Sequence, residues 1–275
     1  MTTAVPPRPN LLSIAGSDPS GGAGVQADLK TFAAFGGYGM AAITALTVQN
    51  TKGVSKIAPV ASAFVAAQID ALFEDIAVDA VKIGMLARPS TARAVADSLK
   101  RAGAQNIVLD PVLRASLGAD LSAAGLPKAI LTHLAPLATL ITPNLPEAAI
   151  LTQTRLARTV QDMEAQARAL VAAGARAALI KGGHLDNAPM DVLCAQDATR
   201  VFSGERVETR NTHGTGCALS SAIACLLARG LEMDAAIESA KRWLAQALAV
   251  GARTRLGAGS GPPDHLWVQG NPAKR

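Results

Sequence analysis

A chain of 275 residues, 49% hydrophobic and 17% charged, can bury the core of one large α/β domain or of two small ones. Its net charge of +5 is carried by scattered basic residues such as Lys100-Arg101 and Lys241-Arg242, and only 3% of residues are aromatic. That disfavours nucleic-acid binding, which calls for a basic tract and rings to stack on bases. No apolar run approaches the roughly 18–20 residues of a membrane-spanning helix, and the start, with Pro6, Pro7 and Pro9, lacks a signal-peptide core. Three cysteines (Cys194, Cys217, Cys225) without Cys-x-x-Cys spacing indicate neither a disulfide framework nor a zinc site. The expectation is a soluble, reduced, cytoplasmic protein with no membrane and no nucleic-acid partner.

In chain order, residues 1–9 read as a disordered tail and Asn10 to Ala15 as a buried first strand. A glycine-rich turn follows, from Gly16 to Gly24, then a helix carrying Val25, Leu29, Phe32 and Ala33 on one face and stopped by Gly36-Gly37. Met40 to Val48 and Val54 to Ile57 read as strands. An amphipathic helix then presents Phe64, Ile69, Leu72 and Phe73. Val78 to Ile83 is a strand, Pro89 to Ala102 a helix, and Asn106 to Leu109 a strand ending at Asp110. A helical stretch runs through Leu131, Thr139 to Thr142 is a strand, and two more helices precede a strand from Ala177 to Ile180. Val192 to Ala195 and Arg200 to Glu208 look like an antiparallel edge pair. The last helix runs from Asp234 to about Ala252, and 257–275 reads as an irregular tail, which leaves 10–256 as a single domain. Strand–helix alternation with near-continuous apolar strands indicates one doubly wound α/β fold, its sheet mostly parallel, with helices on both faces. Ligands bind such sheets beyond the strands' carboxyl ends, which directs attention to Asp18, Gln49, Met85, Asp110, Asn144 and Lys181.

Before the last two helices stands Asn211-Thr212-His213-Gly214-Thr215-Gly216-Cys217. Helix N-termini have unpaired N–H groups and a positive dipole end, and Gly214 and Gly216 let an anion approach them closely. The inference is an anion hole for phosphate; the alternative is an ordinary helix start capped by Thr212 or Thr215. Gly22-Ala23-Gly24-Val25-Gln26-Ala27 matches the dinucleotide fingerprint in its alanine form. Nothing acidic occurs between Asp28 and Asp70, however, so nicotinamide chemistry is disfavoured. A Walker A loop is absent. Asn144 and Glu147 could both reach one hydrated magnesium ion, with Asp110 a second carboxylate nearby; the competing reading is a plain helix start.

Taken together, the segments Ala15 to Gly24, Ala45 to Thr51, Lys82 to Leu86, Asp110 to Val112, Ile141 to Glu147, Lys181 to His184 and Asn211 to Cys217 resemble the hydroxymethylpyrimidine/phosphomethylpyrimidine kinases of thiamine biosynthesis, within the ribokinase-like superfamily. The resemblance runs from about Leu11 to the tail. It implies ATP-dependent phosphorylation of 4-amino-5-hydroxymethyl-2-methylpyrimidine and then of its monophosphate, with ATP and Mg²⁺ as cofactors, in a homodimer. It also implies that Asp28, Gln49, Met85 and Val112 surround the pyrimidine and that Lys181 and Thr215 meet the nucleotide. Asn144, Glu147 and Asp110 would hold Mg²⁺ through waters, and Gly214, Gly216 and Cys217 would form the anion hole. Cys217 stands where sugar kinases of the superfamily place an aspartate base, and a thiol at a helix start is expected to have a lowered pKa. The chain departs from the family pattern at Leu113 to Ala119, where the cation expected near Ser116 for the monophosphate is missing; whether Arg114 replaces it is left open. The rivals are a pyridoxal or pyridoxine kinase of the same superfamily and a non-catalytic pyrimidine or nucleotide sensor.

Overall fold

A computed structural model describes residues 8–114, 121–183, 189–196 and 198–268. The strands are β1 (Asn10–Ser17), β2 (Tyr38–Asn50), β3 (Gly53–Pro59), β4 (Ala80–Ile83), β5 (Ile107–Leu109), β6 (Leu140–Ile141), β7 (Ala177–Gly182), β8 (Met190–Ala195) and β9 (Ala198–Ser203). They form one sheet in the order β3-β2-β1-β4-β5-β6-β7-β8-β9. Neighbours from β2 through β7 run parallel, while β3, β8 and β9 pair antiparallel at the two edges.

Apolar residues alternate across this sheet as a pleated strand requires. Leu12, Ile14, Val81, Ile83, Ala178 and Ile180 face one core. There they meet α2 (Ser62–Asp75), α3 (Pro89–Arg101), α5 (Leu145–Thr152) and α6 (Val160–Ala172). Leu11, Ala80, Val108, Leu140 and Leu179 face the other, under α1 (Gly24–Ala34), α7 (Thr215–Ala228) and α8 (Met233–Gly251). A short α4 (Leu126–Ala129) continues through a π turn and a 3-10 turn as far as Leu137. The chain leaves β1 toward β2 but returns from α2 to β4 on the other side of β1. The order therefore reverses between β1 and β4, and a crevice opens beyond their carboxyl ends.

Three sequence expectations shift. Phe64 is 64% exposed, because α2 turns Val65 and Ile69 to the sheet instead. β9 stops at Ser203, and Gly204 to Glu208 form no strand. The tail after Gly257 has no helix or strand as far as Val268, yet it is packed: Gly261, Pro263 and His265 are buried. The positions of the departure at 115–119 and His184 lie outside the described residues.

Candidate active site

α7 begins on Gly214, whose backbone is left-handed at φ 76°, and a β carbon there would come 1.9 Å from Gly22 O. Only glycine allows this loop to touch the glycine loop after β1 so closely. No side chain caps the helix: Thr215 Oγ1 donates to Thr212 O at 2.6 Å instead. The first-turn N–H groups are thus left to whatever enters the cavity that Gly214, Thr215, Gly216 and Cys217 line, and the capped alternative is not realised. This cavity of about 1260 Å³ runs across the carboxyl ends of the strands, large enough for two small ligands side by side.

Its middle is charged. Lys181 Nζ pairs with Asp110 Oδ1 at 2.7 Å, and the pair sits against α7, since a β carbon on Gly216 would lie 3.1 Å from Lys181 Nζ. Burial works against the Lys181 charge, but Asp110 and Glu147 outweigh it and hold the ammonium protonated. Glu147 is pushed up to about 7, chiefly by burial, with Asp110 adding to the rise and Lys181 opposing it. Asn144 and Glu147 form a reciprocal capping box at the start of α5: Glu147 N–H donates to Asn144 Oδ1 and Asn144 N–H to Glu147 Oε2, both at 2.9 Å. They are a helix start and cavity-lining residues at once. Among the described residues no three His, Cys, Asp or Glu side chains converge tightly enough to enclose a metal ion. A cation held through water fits better, because a buried carboxylate this reluctant to ionise beside Asp110 would be relieved by a divalent charge.

At one end of the cavity stand Gln49, Met85, Val112 and His213. His213 Nε2 lies 2.8 Å from Asp18 Oδ2. That carboxylate also accepts from Ser20 N–H and Oγ–H, Gly22 N–H and Ala23 N–H. Although burial opposes ionisation, the bonds from His213 and Ser20 hold Asp18 below the usual carboxylate range. An ionised Asp18 only accepts, so His213 Nε2 must carry the proton between them. The Gln49 amide reaches His213 Nε2 at 3.3 Å and Thr47 Oγ1 at 3.1 Å. The Thr47 hydroxyl has Ser17 O, at 2.9 Å, as a second acceptor. The amide oxygen Oε1 faces Thr47 Oγ1 and the amide nitrogen Nε2 faces His213 Nε2. One lone pair and one N–H remain to face a ligand.

Asp28 does not join this set. It is fully buried beneath the cavity, its carboxylate taken by Lys82 Nζ at 2.8 and 2.9 Å, Ser13 Oγ at 2.6 Å and Ser221 Oγ at 2.8 Å. Lys82 is the member of that pair that reaches the cavity wall, beside Cys217. The Cys217 thiol also departs from expectation. Burial pushes it up to about 11, while Lys82 pulls downward and Asp28 and Asp110 push upward again. Desolvation outweighs the helix end. Lys82 opens the segment Lys82 to Leu86 that carries part of the resemblance, but the sequence assigns it no role; a lysine inside the apolar run Ala80 to Ile83 is the signal that could have singled it out.

A family model described as phosphomethylpyrimidine kinase matches residues 18–264. The hydroxymethylpyrimidine/phosphomethylpyrimidine kinase of Salmonella typhimurium is 49% identical over 260 residues, 94% of this chain and 98% of that one. Among solved structures, an ADP complex of Bacillus subtilis pyridoxal kinase superposes with a TM-score of 0.87 at 36% identity, covering 96% of this chain and all of that one. The phosphomethylpyrimidine kinase of Clostridium difficile superposes at 0.77 and 40% identity, over 86% of this chain and 98% of that one. The chain belongs to the phosphomethylpyrimidine kinase family and has its ribokinase-like fold.

Proposed function

We propose that the chain transfers the γ-phosphoryl group of ATP to the hydroxymethyl oxygen of 4-amino-5-hydroxymethyl-2-methylpyrimidine, and then a second phosphoryl group to the monophosphate. The product is the pyrimidine diphosphate used in thiamine biosynthesis. The observation that carries this reading is the single cavity joining the Gln49 end, the start of α7 and the Lys181 cluster. In each transfer an oxygen–phosphorus bond forms, the bond to the leaving ADP oxygen breaks, and in the first a hydroxyl proton departs. Phosphoryl transfer has a loose transition state, so position and charge stabilisation dominate.

The chain's own groups supply both. Gln49 reads the amino group and ring nitrogen of the pyrimidine with its free N–H and lone pair, while Met85 and Val112 bound the ring. The Gly216 and Cys217 N–H groups, with Gly214 and Thr215 beside them, hold the transferring phosphoryl, and Lys181 neutralises nucleotide phosphate. Cys217 takes the hydroxyl proton, for which its thiol must first ionise. Asn144, Glu147 and Asp110 would hold Mg²⁺ through waters, where it would spread the phosphate charge. Arg114, which lines the cavity, is the cation that the phosphate of the second substrate would meet. The reading places the enzyme in the cytoplasm as a homodimer, which sedimentation velocity checks; among the described residues no helix is long and apolar enough to cross a membrane.

A pyridoxal kinase is the second reading, favoured by the superposition on the Bacillus subtilis enzyme. A coupled ADP-release assay with the pyrimidine alcohol, its monophosphate and pyridoxal separates them. Turnover of the two pyrimidines is expected; turnover of pyridoxal alone would refute the assignment.

A further inference from the structure

After α8 the chain returns to the β2–β3 turn and to the loop before α7. Gly259 N–H donates to Thr51 Oγ1 at 3.1 Å and Ser260 N–H to Thr51 O at 3.0 Å. Next, Gly261 N–H donates to Asn211 Oδ1 at 3.2 Å, and Gly261 O accepts from His213 N–H at 3.0 Å. One short irregular segment thus ties together the β2–β3 turn and the loop before α7. Thr51 and Asn211 each stand two residues from a side chain of the ring end, Gln49 and His213 respectively.

The joint is tight. A β carbon on Gly259 would lie 1.8 Å from Thr51 O, and one on Gly261 would lie 2.6 Å from Asn211 Oδ1. Asn211 is itself fastened, donating from Nδ2 to Gly251 O at 2.6 Å and Thr254 O at 2.9 Å at the end of α8. Behind it, a β carbon on Gly22 would meet the His213 ring at 2.5 Å and Pro262 at 3.3 Å. The contact between Gln49 and His213 therefore joins two turns that, among the described residues, this segment fastens to each other through backbone bonds.

We propose that residues 257–262 are a positioning strap that sets the spacing of Gln49 and His213, and with it the affinity of the cavity for the ring of its substrate. Gly259 and Asn211 are its positioning residues. A segment that merely stabilised the fold would change melting without singling out one substrate. A strap that sets the ring end changes the pyrimidine term and leaves the nucleotide term alone.

The proposal rests on the ring lying against Gln49, so the test includes Gln49→Leu beside Gly259→Ala and Thr51→Val. Steady-state KM for the pyrimidine alcohol and for ATP is measured with each protein, together with its melting temperature. The expected result is a pyrimidine KM raised about 10-fold in Gly259→Ala and less in Thr51→Val. The ATP KM should stay within about twofold of the parent. If Gly259→Ala does not fold, Thr51→Val, which keeps the shape and loses the hydroxyl acceptor, decides alone. Unchanged pyrimidine KM in the strap variants, or equal weakening of both substrates, overturns the proposal. If Gln49→Leu also leaves the pyrimidine KM unchanged, the placement of the ring is wrong as well.

Discussion

The proton acceptor can be tested through its own titration. Burial pushes the Cys217 thiol up to about 11, so thiolate is about one part in ten thousand at pH 7 and about one in a hundred at pH 9. If Cys217 takes the hydroxyl proton, the active fraction grows tenfold per pH unit, and kcat should rise about a hundredfold across that interval. Cys217→Ala should lose at least about a hundredfold at pH 9 and lose the slope, with near-normal pyrimidine affinity. Cys217→Asp places an already ionised base at the same point and should give measurable turnover on a flat profile. Saturating ADP-release assays from pH 7 to 9.5, in buffers of constant ionic strength, measure all three proteins. Iodoacetamide inactivation of the parent should speed up over the same range, and bound pyrimidine should protect. A flat parent profile, or Cys217→Ala turning over like the parent, would show that catalysis rests on the α7 N–H groups and the charges around Lys181.

Three further outcomes follow from the cavity and the core. Glu147→Gln should keep pyrimidine binding while lowering turnover strongly and raising the magnesium requirement; a magnesium titration unchanged from the parent would leave Glu147 only its capping role. Gln49→Leu should weaken the pyrimidine about 10- to 100-fold, from roughly 1–3 kcal/mol of unmatched polar groups, with ATP binding unaltered by calorimetry. His265 is buried, and that burial, with Lys30 and His213 near it, pushes its pKa down to about 4. Unfolding therefore takes up its proton below about pH 6.5, so stability is fullest above that and falls toward pH 4. The loss at pH 5 is about 2 kcal/mol, and urea unfolding at pH 7 and pH 5 should show that difference shrink in His265→Phe.

The layout was legible because each buried strand is a short apolar run between glycines or polar residues, as at Leu11 to Ala15 and Ile107 to Leu109, and needs no distant partner to be read. The start of α7 was legible for a similar reason: Gly214 and Gly216 state a close approach in the sequence itself. What escaped depends on distant partners. Asp28 reads as a polar residue near a glycine loop, and only folding brings Lys82 and Ser221 to it. The direction of the Cys217 shift depends on how much water the walls exclude, whereas the helix dipole can be read locally; here the walls win. Gly257 to Pro262 has the composition of a loose tail, and its packing follows from Thr51 and Asn211, which composition does not reveal.

Substrate choice cannot come from the fold, since a pyridoxal kinase and a phosphomethylpyrimidine kinase share it with this chain. It must come from the few polar atoms that face the ring. In the proposed site, backbone and Ser20 donors hold the Asp18 carboxylate ionised, that carboxylate keeps the proton on His213 Nε2, and His213 Nε2 stands 3.3 Å from Gln49 Nε2. Thr47 Oγ1 meets the amide oxygen at the other side. The amide is left with one donor and one acceptor to offer a ring. An aminopyrimidine edge offers the matching donor and acceptor. A pyridine ring without the amino group leaves the Gln49 oxygen without its second donor, a penalty of about 1–3 kcal/mol in a buried site. Discrimination of that size lies in four side chains and the turns that hold them, which is why the strap across Thr51 and Asn211 bears on specificity.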